Sequence, residues 1–338
     1  TIFFSTFQDW DEFYAELMAN HPDATIDTTI SYSQQNVLTL SCAVTFPADD
    51  MLTTESLTND LPLDFTLSEQ LLPSDTIWVK DTYQSLFAVG LNGNGSNGGD
   101  GGKLWVTRQA LNFAALPAPA WYQVLPENYN GSAFGEIQDI VISKDGNYIY
   151  FSTDNNRVYR VSGLLYAREA AEYNNDSSDV IKTSLLKSFN TTVTSISIDP
   201  NDAKNIVVTI GGYGEGVHIY YSSNATQSPA NNVSFSEKQG NLPFMPVYSA
   251  ILNWKDGAQV MIGTEFGVYS TEDITADEPV WVDQNPNGFA NVPVFMLRQQ
   301  IQENRWKPLI NNHGYIYAAT HGRGFFRAEN MAGPTAIK

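Results

Sequence analysis

Apolar and polar residues in this chain alternate over short runs, and turn residues break the runs. Gly314-Tyr315-Ile316-Tyr317-Ala318-Ala319 is one such run, and it reads as a strand of period two. It leads through the glycine turn of Thr320-His321-Gly322-Arg323-Gly324 into a second strand, Phe325-Phe326-Arg327. The same layout occurs as Gln259-Val260-Met261-Ile262-Gly263-Thr264-Glu265-Phe266-Gly267-Val268-Tyr269-Ser270. It occurs again as Asn147-Tyr148-Ile149-Tyr150-Phe151-Ser152-Thr153 running into Arg157-Val158-Tyr159-Arg160. Helical spacing is confined to Trp10–Met18, with apolar residues at 10, 13, 14 and 17, and to the stretch Gly163–Tyr173.

These strand pairs repeat. Thr153, Gly211, Thr264 and Thr320 occupy similar points, 58, 53 and 56 residues apart, with Gly90 as a looser earlier copy. The strand that opens each unit also returns, as Ile137–Ser143, Val193–Asp199, Pro246–Leu252 and Pro293–Leu297. An aromatic residue closes several units: Trp121-Tyr122, Phe235 and Trp281. A period of this size in an all-β chain predicts propeller blades of about four short strands each. The expected fold is therefore all-β, a single β-propeller of six or seven four-stranded blades. Residues 76–330 carry the clearer blades. Residues 1–75 read as one or two degenerate N-terminal blades with a short helix, and 331–338 as a linker to a further segment. Thr1–Thr6 resembles an inner strand and Gly324–Ala328 the strand after it, so the two are expected in the same or adjacent blades.

The repeats resemble the Asp-box (BNR, sortilin-like) propellers, a group that includes sortilin-type ectodomains, sialidases and xyloglucanases. The group's turn between third and fourth strands, Ser-x-Asp-x-Gly-x-x-Trp, is eroded here. Ser270-Thr271-Glu272-Asp273 before Trp281 has an insertion and no glycine, and Tyr221-Ser222-Ser223-Asn224 before Phe235 has lost the aspartate. Val106-Thr107-Arg108-Gln109 before Trp121 keeps only the outline, and Ser143-Lys144-Asp145-Gly146 falls between first and second strands. The ending Ala319-Thr320-His321-Gly322-Arg323-Gly324 is similar to the final blade in large exported proteins of Bacteroidetes-type bacteria. That resemblance implies a secreted or cell-surface location, and a longer polypeptide with a type IX sorting domain beyond this chain.

Composition narrows the function. The 37 acidic residues against 18 Lys and Arg leave a net charge of −19, which argues against nucleic acid and against an anionic membrane surface. No apolar run is long enough to span a bilayer as a helix, so no direct membrane insertion is expected. The one cysteine, Cys42, cannot form an internal disulfide. Six Asn-x-Ser/Thr sequons, at Asn94, Asn130, Asn175, Asn190, Asn224 and Asn232, are what chance produces in so Asn-rich a chain.

Catalytic constellations are hard to find. Sialidase chemistry needs three arginines on one carboxylate, and the eight arginines here include no Arg-Ile-Pro start. A glycosidase needs two facing carboxylates. The four histidines are scattered, without zinc spacing. Gly211-Gly212-Tyr213-Gly214-Glu215-Gly216 sits between strands rather than opening a helix, unlike a phosphate loop. Asp199-Pro200-Asn201-Asp202 reads first as a hairpin turn, though its oxygens also suit calcium. Gly93–Gly102 reads as a flexible loop. No cofactor is expected. The function expected is a non-catalytic module that binds a protein or glycan and engages secretion or surface-attachment machinery; the alternative is a sialidase-like glycoside hydrolase with its site at the propeller mouth. The candidate partner-binding residues are His321, Arg323, Tyr213 and Glu265, all in turns between strands.

Overall fold

A computed structural model describes strand backbones within the first 80 residues, and residues 86–92, 101–110, 119–165, 167, 180–285, 289–301 and 312–329. The expected helix at 10–18, the linker at 331–338, and most of the Gly93–Gly102 loop and of the stretch Gly163–Tyr173 lie outside the described residues. The chain divides into two compact units, residues 1–87, 107–120 and 305–309 forming the first, and 88–106, 121–304 and 310–338 the second.

In the first unit the described strands are β1 (Ile2–Phe4), β2 (Thr25–Tyr32), β3 (Leu38–Thr45), β4 (Leu52–Thr53), β5 (Asp64–Phe65), β6 (Gln70–Leu71) and β7 (Ile77–Lys80). Five of them form one sheet in the order β2-β3-β1-β7-β5, and β4 pairs with β6. β1 is antiparallel to β3, with Ile2 opposite Cys42, and parallel to β7, with Ile2 opposite Ile77. Both edges of β1 are thus occupied. The first residues thus lie in a different sheet from Phe325–Ala328, which pairs with Ile316–Thr320, so of the two expected placements, the same blade or an adjacent one, the first is corrected.

The second unit is built of blades. They comprise β8 (Phe87–Leu91), β9 (Lys103–Thr107) and β10 (Tyr122–Gln123); β11 (Ile137–Ile142), β12 (Tyr148–Thr153), β13 (Arg157–Ser162) and β14 (Lys182–Ser188); β15 (Val193–Asp199), β16 (Asp202–Ile210), β17 (Ile219–Ser222) and β18 (Ser236–Glu237); β19 (Val247–Asn253), β20 (Asp256–Thr264), β21 (Gly267–Thr271) and β22 (Val282–Asp283); and β23 (Val294–Gln299), β24 (Ile316–Thr320) and β25 (Phe325–Ala328). Each is an antiparallel sheet with its strands in chain order, four-stranded in three cases and three-stranded among the described residues in two. The fold is a β-propeller.

Burial explains the composition of the strands. In the second strands of the three four-stranded blades the outgoing half is buried on both faces: Ile149 to Thr153, Ile206 to Ile210, and Val260 to Thr264. Those stretches accordingly read as continuous apolar or small residues rather than as an alternation. The outer strand β18, in contrast, is exposed throughout.

Neighbouring blades seal against one another through apolar layers. Val158, Ile196 and Val208 join the second and third blades, Val207, Leu252 and Trp281 the third and fourth, and Met261, Leu297 and Ile316 the fourth and fifth. Buried cations clip the outer rim. Arg160 donates from Nη1 to the carbonyls of Ala225 (2.5 Å) and Gln227 (3.0 Å) in the next blade. Lys238 Nζ likewise donates to the carbonyl of Ala276 at 2.5 Å in the blade after it. Desolvation lowers the Arg160 pKa, and the phenols of Tyr150 and Tyr148 oppose that shift.

Two backbone devices recur. The residue after each second strand donates its N–H to the residue before the first strand: Asp154 to Glu136 (2.8 Å), Gly211 to Thr192 (2.9 Å), Glu265 to Pro246 (3.1 Å) and His321 to Pro293 (2.9 Å). Four of the five first strands then carry a β-bulge at the second residue, between Ile137 and Asp139, Val193 and Ser195, Val247 and Ser249, and Val294 and Met296. The register also corrects the repeat frame. Val193 faces Ile210 as Ile137 faces Thr153, so Ile210 rather than Gly211 is the equivalent of Thr264 and Thr320.

Candidate partner-binding face

Turns between second and third strands all emerge at one end of the blades, because the strands before and after them run antiparallel in register. The bulges lie at that same end and re-aim the side chain of the extra residue. The bulged residues are Gln138, Thr194, Tyr248 and Phe295. Thr194 turns its hydroxyl to the Val247 carbonyl of the next blade at 2.5 Å. Phe295 carries no hydroxyl and Tyr248 directs its own to the turn of the same blade, so both rings lie among the turn residues at this end.

There they meet three of the four residues expected from the sequence. The Tyr248 hydroxyl donates to Glu265 Oε2 at 2.5 Å. Tyr213, from the glycine run of the third blade, lies beside Glu265 and the Tyr248 hydroxyl. The Tyr248 ring meets Phe295 edge-on, with centroids 5.0 Å apart. Phe295 in turn lies 5.7 Å from the His321 ring. The series Tyr213, Glu265, Tyr248, Phe295, His321 therefore runs over the third, fourth and fifth blades. Arg323 shares the end but not the series. It is exposed and forms no ion pair with a described residue.

The neighbouring Glu265 raises the Tyr213 pKa. That of Tyr248 is raised first by burial and then by Glu265. Both phenols therefore stay protonated at neutral pH, and that of Tyr248 holds the carboxylate in place.

Local sequence explains the presentation. Gly212 and Gly214 have φ of 88° and 111°, conformations that a side chain disfavours, so the run that lifts Tyr213 needs glycine. Gly267, at φ 100°, ends the turn that presents Glu265 and Phe266. Asn285 braces this turn, accepting from Val268 N at 3.1 Å and donating to the Phe266 carbonyl at 2.8 Å. Exposed aromatic residues flank the series. Phe266 follows Glu265 and Phe244 precedes the first strand of the fourth blade, each 57% exposed, while Phe325 opens β25 at 84%. Tyr248 and Phe295 were missed as site residues in the sequence. Their signal was present in the shared lead-ins Pro246-Val247-Tyr248 and Pro293-Val294-Phe295, but a bulge is needed to turn that pattern toward solvent.

The opposite end holds the first-to-second-strand turns, including the suspected calcium site. Asp199 Oδ1 accepts from Asn201 N at 2.9 Å and Oδ2 from Asn205 Nδ2 at 3.1 Å, and Asp202 pairs with Lys204 at 2.6 Å. Its oxygens are used by the turn itself. Among the described residues no group of three or more His, Cys, Asp or Glu is placed to hold a metal ion.

The eroded turns between third and fourth strands are mutual equivalents. Asn224 N bonds Ser222 Oγ at 3.3 Å, and Asp273 N bonds Thr271 Oγ1 at 3.4 Å. The residue after each, Ala225 or Ile274, bonds back to the carbonyl of Lys204 or Ala258. Trp281 is buried just before β22, with Nε1 donating to the Lys238 carbonyl at 3.0 Å.

No family model and no curated protein matches the chain. Solved structures to which it is similar include the beta-propeller domain of Myceliophteria thermophila Cps50 (Swd1), at 10% identity and TM-score 0.47, covering 75% of this chain and 64% of that one. They also include a chain of the outer-coat vertex of COPII on membranes, at 15% identity and TM-score 0.45, covering 70% of this chain and 54% of that one. A chain of the COPII coat assembled on membranes gives the same identity and TM-score, with 30% of that chain covered. This chain thus spans under two thirds of the length of each.

Proposed function

We propose that this chain is a non-catalytic interaction module whose second-to-third-strand turns form a docking face for a protein partner. The observation that carries this is the series from Tyr213 to His321, flanked by Phe244, Phe266 and Phe325. Large exposed aromatics grouped at one end of a rigid scaffold are the usual anchors of a protein interface. A carboxylate held by the Tyr248 phenol is preorganised for recognition. It also stands as the single carboxylate of the series, whereas glycoside hydrolysis uses two.

The wider setting we propose is a secreted or surface-exposed bacterial polypeptide that uses this propeller as its Asp-box-like module. The paired turns at Ser222–Ala225 and Thr271–Ile274, each followed by a closing aromatic, support that kinship. The acidic charge of −19 is compatible with such a setting.

A photo-crosslinking residue at Phe266, with a control at Lys255 on the opposite end, tests the docking face in the presence of cells and culture fluid of the native host. A protease-sensitive adduct at Phe266 alone is the expected result. An adduct sensitive to glycosidase but not to protease would give the face to a glycan. Turnover of sialosides or β-glucans that is lost in Glu265→Gln would replace the module reading with an enzyme.

A further inference from the structure

Glu265 combines three properties. Its carboxylate is held by the Tyr248 hydroxyl, with Tyr213 beside it. It has no cation partner among the described residues, where the ion pair formed is Lys204–Asp202. And it is framed by rings open to solvent, Tyr213 being 77% exposed and Phe295 50%. One phenol donor leaves about three of the roughly four acceptor positions of a carboxylate free. Neither phenol neutralises its charge. A partner that covered this point with apolar or acidic groups would strand a desolvated carboxylate, which is costly. A cation would instead meet the carboxylate through charge-assisted hydrogen bonds and the ring faces through cation–π attraction.

We propose that Tyr213, Glu265, Tyr248 and Phe295 form a receptor for one cationic side chain, arginine or lysine, of the partner protein. This rests on the reading of that end as a docking face, and names the chemistry it selects. Charge complementarity supports the choice. The protein carries a net charge of −19, and Glu215 is exposed on the same glycine run as Tyr213. The frame is also rigid where it needs to be. Tyr248 and Phe295 stand on β-bulges, and Glu265 sits in a turn braced by Asn285. Tyr213 rides on glycines at positive φ with open space around Gly214, so it can close over a bound side chain. Exposed Phe266 and Phe244 at the same end would take the apolar residues beside the cation.

The test uses the whole chain and short blocked peptides as probes. Aromatic carbon–proton resonances are followed by NMR while Ac-Gly-Arg-Gly-NH2, Ac-Gly-Lys-Gly-NH2, or the citrulline and norleucine analogues of the same size are added. The expected result is saturable shifts at Tyr213, Tyr248 and Phe295 with a cationic peptide and not with its neutral analogue. Glu265→Gln should weaken the cationic peptide by about tenfold or more, the size of one charged hydrogen-bonded contact. Tyr248→Phe, which keeps the ring and frees the carboxylate, should weaken it less, and it provides a second variant should Glu265→Gln misfold. Equal binding of the neutral analogues, shifts confined to other residues, no saturable shift with either cationic peptide, or an unchanged affinity in Glu265→Gln overturns the inference. Cross-linking at Phe266 that persists in any of those cases leaves the docking face standing; loss of cross-linking as well removes both.

Discussion

Gly267→Ala offers a strict test of how the docking turn is held. The glycine has φ of 100°, and a Cβ placed on it would lie 2.0 Å from Asn285 Oδ1 and 2.6 Å from its Cγ. Alanine at such a φ costs about 1–2 kcal/mol from backbone strain alone. The clash adds a second cost, because Asn285 is 7% exposed and has to leave its place. Moving it breaks the bonds to Val268 N (3.1 Å) and the Phe266 carbonyl (2.8 Å). Leaving those buried groups unpaired costs about 1–3 kcal/mol. Gly267→Ala should therefore lose about 2–5 kcal/mol in total, and Asn285→Ala about 1–3 kcal/mol. In the double variant there is no amide left to displace, so Gly267→Ala on that background should cost only the strain of about 1–2 kcal/mol. Urea denaturation of the four proteins, followed by tryptophan fluorescence and far-ultraviolet circular dichroism, gives the cycle. Additive losses, within about 0.5 kcal/mol, would refute the role assigned to Asn285.

Other outcomes follow from the same geometry. Trp281→Phe keeps a ring in the layer between the third and fourth blades but orphans the Lys238 carbonyl; it should cost about 1–3 kcal/mol in urea denaturation, and Trp281→Ala about 3–5 kcal/mol, with equal losses contradicting the hydrogen-bond argument. Burial raises the Asp139 pKa above 3.8 against the N–H groups of Ile196 and Ile140, so the folded state holds that proton more tightly than the unfolded one. The contribution is fully present below the unfolded pKa and is lost as pH rises through the folded value. The stability of the parent relative to Asp139→Asn should accordingly fall as pH rises from about 3.8, and a difference flat with pH would count against a buried carboxyl there. Deleting residues 1–4 removes a strand paired on both sides, so β3 and β7 lose their partner; limited proteolysis should then cut within the first 87 residues faster than in the parent, and unchanged cleavage would speak against the pairing of β1.

The repeated apolar runs bounded by turn residues were sufficient to identify blades, because a strand sandwiched between neighbours must be apolar or small at nearly every buried position. Tyr148–Thr153 and Val260–Thr264 show this directly, and so does the aromatic that closes a blade, Trp281. Turn chemistry was equally legible: Asp199–Asp202 is a hairpin turn since its aspartates bond their own local backbone and side chains. Three of the four candidate residues fell in one series because the turns after all the second strands emerge at one end. Tertiary structure decided the remainder. One extra residue in β19 and in β23 turns Tyr248 and Phe295 to the surface, and a bulge leaves no mark in a period-two pattern beyond a slip of one position. The same kind of slip put Gly211 where Ile210 belongs. The fate of Ile2–Phe4 was not local either. Its sequence suits any inner strand, and the choice of β3 and β7 as partners depends on which edges the rest of the chain leaves open, a competition among segments distant in sequence.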